Sequence, residues 1–506
     1  MKKRLISLLI CTAALWASCS VLDIEPKTEW TANSVPTELS HLEGLVYGGY
    51  NRLYSALLSG FVIYGDERAD VYYNNSYNEP NHERIVRNRL DPNMSQANWS
   101  SFYQAVKQAN VVIFHTPEMI RKGTVTAAEA NSLLGQAYCQ RAFAYFWIVR
   151  IWGDAPIVTR PLLHSEENFD VARSPVSEVL DLVHHDLDSA LRYIPAQVSA
   201  TSVTRSTFSP VAVRAIKAHA YMWEYRYQEA IGQLNLAIPT ATTLYRLANL
   251  YNASQIPAEN TTFRAFVTST EFSHMFNSSG ASNNLESIFE LVASEEDGDI
   301  NNAFDDFWVS ATTPYFAVRE DFSAIFPSND FRFYASIGAE PASGKRRALK
   351  WVQNYARGNP RNIVLIRLAD LKLLRAEARA MIAGFDPTNA QRTEIMADVN
   401  DIIVRARGPQ AAYTNYLDRD LWDRESFIDV IKTERRRELA FEGQRWFDLV
   451  RWGDAVSALA AMRESTRGIY VLGTGAVNLD PRAIVWPIYL LEIRRSKHIV
   501  QNEYYR

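Results

Sequence analysis

Apolar residues recur along this chain at steps of three and four, the spacing that gathers them onto one face of an α-helix. Val211, Ala215, Ala218, Met222 and Tyr225 follow it, and after a break at Arg226 it resumes through Tyr227, Ala230, Ile231, Leu234 and Ile238. Alanines beside bulky aromatics let two antiparallel helices lie close together, so this stretch predicts a helix pair. Comparable patterns predict three further pairs: 128–150 with 175–193, 363–382 with 389–405, and 424–438 with 441–459. Single helices are predicted over about 38–58 and 95–114, the second taking Trp99, Phe102 and Tyr103 into its packing face.

Between these stretches the pattern lapses. Residues 65–93 are rich in Tyr, Asn, Asp and Arg and have no period, which predicts a long loop. Residues 244–351 are loop-dominated too, with a strand-like run at 287–292 and an irregular piece at 340–350. The fold class expected is mostly α: four tetratricopeptide-like helix pairs forming a scaffold, with a large loop-rich insertion at about 244–351 and minor β. Loops held on a rigid scaffold commonly carry function, so the insertion is the first place to seek a site.

Composition narrows the class. The 506 residues are 47% apolar and 22% charged with both signs mixed, enough for a large core and unlike a disordered chain. Met1–Arg4 is basic, Leu5–Trp16 is apolar but too short to span a bilayer, and Ala17, Ser18 and Cys19 are small. That is an export leader. Its end at a cysteine resembles a bacterial lipoprotein signal, with Cys19 as the lipidation site; cleavage near Ala17 would give an ordinary secreted chain. The division expected is a leader of 1–18 and one domain of 19–506. Without the leader the formal charge moves from −4 to −7 (50 basic against 57 acidic), which argues against nucleic-acid binding. Cys139 lies in an apolar helical pattern and reads as a small buried hydrophobe.

The densest charge pattern is Glu434-Arg435-Arg436-Arg437-Glu438, followed by Phe441-Glu442-Gly443, Arg445-Trp446-Phe447-Asp448-Leu449 and Arg451-Trp452-Gly453-Asp454. Glu434, Arg437, Glu438, Arg445 and Asp448 stand mainly three, four and seven apart, so opposite charges can meet on one helical face and hold the last helix pair to the fold. Arginine neighbours lower carboxylate pKa values and spoil a general acid, so a structural ion-pair network is preferred to a catalytic pair.

This block resembles the C-terminal signature of SusD-like (SusD/RagB) proteins. Other matches follow in the same order: Cys19-Ser20 with Leu22-Asp23 and Pro26, Arg141-Ala142 with Tyr145-Phe146, Trp152-Gly153-Asp154-Ala155-Pro156, the 363–379 segment, Pro487-Ile488 with Glu492, and Gln501-Asn502-Glu503-Tyr504. The resemblance implies a lipid-anchored outer-membrane protein facing the cell exterior. It would bind a glycan and act as the lid of a SusC-like TonB-dependent transporter, without catalysis. The rival readings are a peptide-binding lid of a peptide importer, a periplasmic repeat scaffold, and a glycoside hydrolase.

Sugars stack their C–H faces on aromatic rings while amides and charged groups bond their hydroxyls. Two segments offer that mixture. One holds Tyr72, Tyr73, Asn74, Asn75 and Tyr77; the other holds Asp306, Trp308 and Tyr315. These are the expected ligand-binding residues, and their aromatics are expected to be replaceable without loss of the fold. No cofactor is expected. Glu295 to Asn301 with Asp305 and Asp306 is acidic enough for calcium, but it fails the EF-hand spacing and reads as a polar loop. His184-His185-Asp186 reads as a solvated helix face, since adjacent histidines diverge by about 100°.

Overall fold

The computed structural model describes residues 36–74, 80–161, 170–196, 205–238, 245–250, 270–277, 285–293, 302–309, 314–339, 346–352, 360–413, 423–462 and 477–506. Long helices dominate: α1 (Leu39–Leu57), α2 (Ser100–Arg121), α3 (Ala127–Trp152), α4 (Val176–Tyr193), α5 (Pro210–Trp223), α6 (Tyr227–Ala237), α7 (Leu368–Ile382), α8 (Asn389–Arg407), α9 (Arg424–Glu438) and α10 (Arg445–Trp452). Their starts are written in local chemistry. Thr126 with Glu129 and Thr388 with Gln391 form capping boxes on α3 and α8, and Ser209 caps α5 with Pro210 following. Each such cap is worth about 1 kcal/mol.

The helices pack in chain order: α1 on α2, α2 on α3, α3 on α4, α4 on α5, α5 on α6, α6 on α7, and α7 on both α8 and α9. The second half of α3, from Ala142 to Trp152, is buried on every side, which makes α3 the central post. One apolar core runs from Leu42 through α3 to Trp486 and Ile488, and a smaller one lies between α7, α8 and α9. The fold is thus the mostly α, helix-pair scaffold expected.

Three local readings change. The helix expected from 363 begins instead at Leu368, because Ile363–Arg367 is a strand antiparallel to Ser287–Leu291. Both strands are fully buried, so neither alternates polar with apolar, and periodicity alone could not separate strand from helix. The helix expected over 441–459 is divided: Phe441 and Gly443 adopt left-handed φ values of 67° and 68°, α10 follows, and Gly453 ends it before Ala455–Ala460. The 65–93 stretch is more than a loop. It holds part of a π-helical turn (Ile63–Glu67), a strand (Tyr72–Asn74) and a helix (Pro80–Val86).

Of the 184–186 run only His185 is exposed. Asp186 is fully buried and takes two bonds from Arg141, at 2.7 and 2.8 Å, while half-buried His184 sits 2.5 Å from Glu224. Cys139 is buried and free, as its setting suggested.

The π-helical turn meets the C-terminal block without room for a side chain. A Cβ on Gly65 would fall 1.9 Å from the Gly443 carbonyl oxygen. Gly65→Ala is therefore expected to lower stability by about 1–3 kcal/mol, the usual range for overpacking. Urea unfolding measures it, and an unchanged midpoint would show that the junction yields.

Candidate ligand-binding site

Beneath the candidate site lies a set of buried ions. Glu438, at the end of α9, is fully buried. Arg367 Nη1 lies 2.6 Å from both Glu438 and Glu286, and its Nε lies 2.6 Å from Glu442. Arg332 reaches Glu438 at 3.0 Å, Glu434 at 2.6 Å and Asp330 at 2.6 Å. Arg405 bridges Glu286 and Glu438, and Lys350 stands 2.7 Å from Glu442. Burial by itself would raise the Glu438 pKa, but Arg405, Arg367 and Arg332 outweigh it and hold the carboxyl well below its usual range.

A second lobe joins α7, α9 and α10. Arg435 contacts Asp370 and Asp448, each at 3.0 Å, and Arg451 contacts Asp448 and Glu377. The network expected from the charge spacing is present, but its reach differs. Glu434–Arg437 and Asp448–Arg451 are local pairs; the bonds of Glu438 and Arg435 cross to distant elements, and Arg445 pairs with Asp70 at 2.8 Å. Residues 286, 330, 332, 350, 367 and 405 carried no sequence signal of this partnership, because their partners lie far along the chain.

The π-helical turn links this network to the candidate surface. Both Asp66 carboxylate oxygens accept backbone bonds, from Gly443 at 2.8 Å and Arg445 at 3.2 Å, yet burial still pushes its pKa up to about 7. Glu67 is raised by burial, an effect opposed by His82, whose Nδ1 lies 2.8 Å away. The His82 ring in turn packs 5.2 Å from Tyr315, 5.4 Å from Phe316 and 5.7 Å from Phe307.

Here the two candidate segments meet. Tyr72–Asn74, labelled β1, and Phe316–Val318, labelled β2, pair antiparallel with Tyr72 opposite Val318, Tyr73 opposite Ala317 and Asn74 opposite Phe316. A second π-helical turn, Asp305–Val309, precedes β2, and the Tyr315 N–H donates to the Asp306 carbonyl at 2.9 Å. Segments more than 200 residues apart thus form one surface.

Within that surface the predicted residues divide. Tyr72 is fully buried, stacked 5.1 Å from Phe316 and 5.7 Å from Phe441. Trp308 is fully buried beside Phe304 and Phe307, and Tyr73 is buried as well. These three make the base of the platform and present little or no ring face to a ligand, which corrects their expected role and their expected tolerance to substitution. The pattern misled because both faces of β1 are covered. Asp306 and Tyr315 are half-buried and reach the surface. Asn74 lies in β1, whereas Asn75, Tyr77, Cys19 and the acidic run 295–301 lie outside the described residues. Asp305 is buried with Arg361 3.3 Å away. His82, Glu67 and Phe307 were missed; a single histidine between two loops gives no pattern to read.

A helix-pair scaffold with an aromatic-based surface on its inserted loops defines a binding-protein architecture of the tetratricopeptide-like kind. The chain belongs to the SusD-like family. The SusD family model matches residues 349–505, and a family described as starch-binding and associating with the outer membrane matches 42–222. A SusD-like protein of Formosa agariphila is 26% identical, with 98% of this chain and 97% of that protein covered. Among solved structures, a SusD superfamily protein from Bacteroides vulgatus superposes with a TM-score of 0.72 at 19% identity, covering 93% of this chain and all of that one. NanU of B. fragilis gives 0.71 at 20% identity (95% and 100% covered), and a laminarin-binding SusD-like protein gives 0.68 at 20% (92% and 100%).

Removing one charge from the network leaves its partners buried and unmatched. Glu438→Gln is expected to cost about 3–5 kcal/mol. The depressed carboxyl contributes stability above its unfolded pKa, about 4.3, and loses it as pH falls through the lower folded value. The variant should therefore lose less stability on acidification than the parent chain. Urea unfolding across a pH series reads both effects; equal stability at neutral pH would refute the assignment.

Proposed function

We propose that this protein captures an oligosaccharide or polysaccharide at the cell surface and passes it, uncleaved and as a lid, to a SusC-like TonB-dependent transporter. The observation that carries this reading is the joining of β1 and β2. A rigid stack of buried rings supports a surface where Tyr315 offers a ring face and Asp306 a hydrogen-bonding carboxylate. The laminarin-binding relative and the starch-binding description of the N-terminal match point to the same ligand class. Lipidation at Cys19 would tether the chain to the outer membrane.

Binding without turnover accords with the carboxylates. Glu438 and Asp448 are held below the usual carboxylate range by neighbouring arginines despite burial, the wrong direction for a general acid. Asp66 and Glu67, whose pKa values are raised, are completely buried and out of reach of a polymer.

The test is calorimetric titration of the mature protein with a panel of polysaccharides and oligosaccharides, followed by mass spectrometry of the sugar. Saturable binding with intact ligand is expected. Asp306→Ala and Tyr315→Ala should each weaken it about tenfold or more, a loss of about 1.4 kcal/mol, while leaving the unfolding midpoint close to the parent value. Trp308→Ala, by contrast, should cost about 3–5 kcal/mol of stability, as a buried ring does. Glycan binding untouched by both surface variants would move the site elsewhere, binding of peptides alone would replace the ligand class, and sugar cleavage would overturn the non-enzymatic reading.

A further inference from the structure

A second concavity borders the π-helical turn and has no residue of β1 or β2 in its lining. It has a volume of about 270 Å³ and is enclosed by the end of α1, the turn itself and the approach to α2. Its polar walls carry Ser59 on one side and Gln96, Asn98, Ser100 and Ser101 on the other. The three serine hydroxyls and the two side-chain amide N–H₂ groups have no hydrogen-bond partner among the described residues. Asn98 spends only its carbonyl oxygen, on the Ser100 N–H at 2.8 Å, and Gln96 Oε1 accepts from Ser95 at 3.2 Å.

The floor is apolar and stiff. Ile63, Tyr64 and Phe102 are buried there. The Tyr64 ring packs edge-on 5.5 Å from Trp152 and 5.2 Å from Trp486, and its hydroxyl donates to the Gln96 carbonyl at 2.8 Å. No charged side chain is among the described residues that line the cleft. Several open donors above a fixed aromatic floor match a ligand with hydroxyls round its edge and C–H groups on its face, and nothing there pairs with a formal charge. The volume falls just below the roughly 300 Å³ at which drug-sized ligands begin, so it suits a single ring.

We propose that this cleft is a binding site for a single neutral polyhydroxylated ring, a free monosaccharide or a cyclitol, separate from the platform over β1 and β2. The two sites share the π-helical turn: Tyr64 faces the cleft, and Glu67, three residues on, holds His82 against the platform rings. Their ligands differ in size, and neither assignment requires the other.

The experiment is ligand-observed NMR titration of the mature protein with D-glucose, D-galactose, D-mannose and myo-inositol. At least one is expected to bind saturably at millimolar concentration. Ser101→Phe and Ser59→Phe fill the cleft from opposite walls, and each is expected to raise the dissociation constant at least tenfold. Tyr315→Ala, on the platform, should leave it unchanged. Using two filling variants keeps the test open if one of them fails to fold. Absence of saturable binding by all four compounds, or binding undiminished in a folded filling variant, would overturn the proposal. Loss in Tyr315→Ala with no loss in the filling variants would assign the small sugar to the platform instead.

Discussion

The buried carboxylate of Glu438 is the constraint around which the rest of the molecule is arranged. Taking a carboxylate out of water costs several kcal/mol unless cations and hydrogen bonds surround it. Here the cations come from residue 332 and from residues 367 and 405, and those in turn need Asp330, Glu286, Glu442 and Glu434. Compensation is complete only when the insertion, the third helix pair and the C-terminal block are all in place. A buried ion set of this kind is weak evidence of extra stability, because well-packed apolar residues could serve as well. Its consequence is mutual dependence: an insertion that contributes Glu286, Asp330 and Arg332 to the central charge set cannot drift relative to the scaffold.

That dependence explains how a loop-rich region can present a fixed surface. Trp351, in the insertion, donates its ring N–H to the Phe441 carbonyl at 2.6 Å, and Phe304 and Phe61 close around its ring. Tyr72 stacks on Phe441 from the other side of the same turn. The rings beneath the surface are therefore fastened to the C-terminal block, and the surface above them is ordered by the fold itself. The matched segments, 42–222 and 349–505, bracket most of the insertion without covering it. The network and the helix pairs hold the architecture, and the stretch between them is bound into it through Glu286, Asp330 and Arg332.

How much of this could be read from the chain depends on how local each feature is. The pairing of α5 with α6 was legible because apolar spacing, small residues and a break at Arg226 all lie within thirty residues. The 434–451 block was legible as an ion network for the same reason, since like and unlike charges alternate at helical steps. Its true partners were not, because Arg332 and Arg367 sit in stretches with no charge pattern of their own. The strand at 363–367 was hidden by being buried on both faces. The candidate residues were legible as segments but not as side chains: composition marked 72–77 and 304–316, yet only their burial in the fold shows that Tyr72 and Trp308 lie in the core while Asp306 and Tyr315 reach the rim. Aromatic richness signals a site and a core alike, and burial decides between them.

The electrostatics of the junction also bear on the choice between capture and chemistry. Despite burial, Asp70 and Asp448 are held below their ordinary pKa values by arginines, and Asp370 by His219 and then Arg435. Their contribution to stability is present above the unfolded carboxylate range and is lost as pH falls. Asp66 runs the other way: with its pKa pushed up to about 7, its contribution is full below the unfolded value and is lost as pH rises through 7. A carboxyl poised near neutrality is the usual mark of a general acid, but geometry denies it that use. Both its oxygens are engaged by the backbone of Gly443 and Arg445, and it is fully buried. A proton buried this deeply belongs to the joint between the π-helical turn and the C-terminal block, where it ties the fit of the two elements to pH.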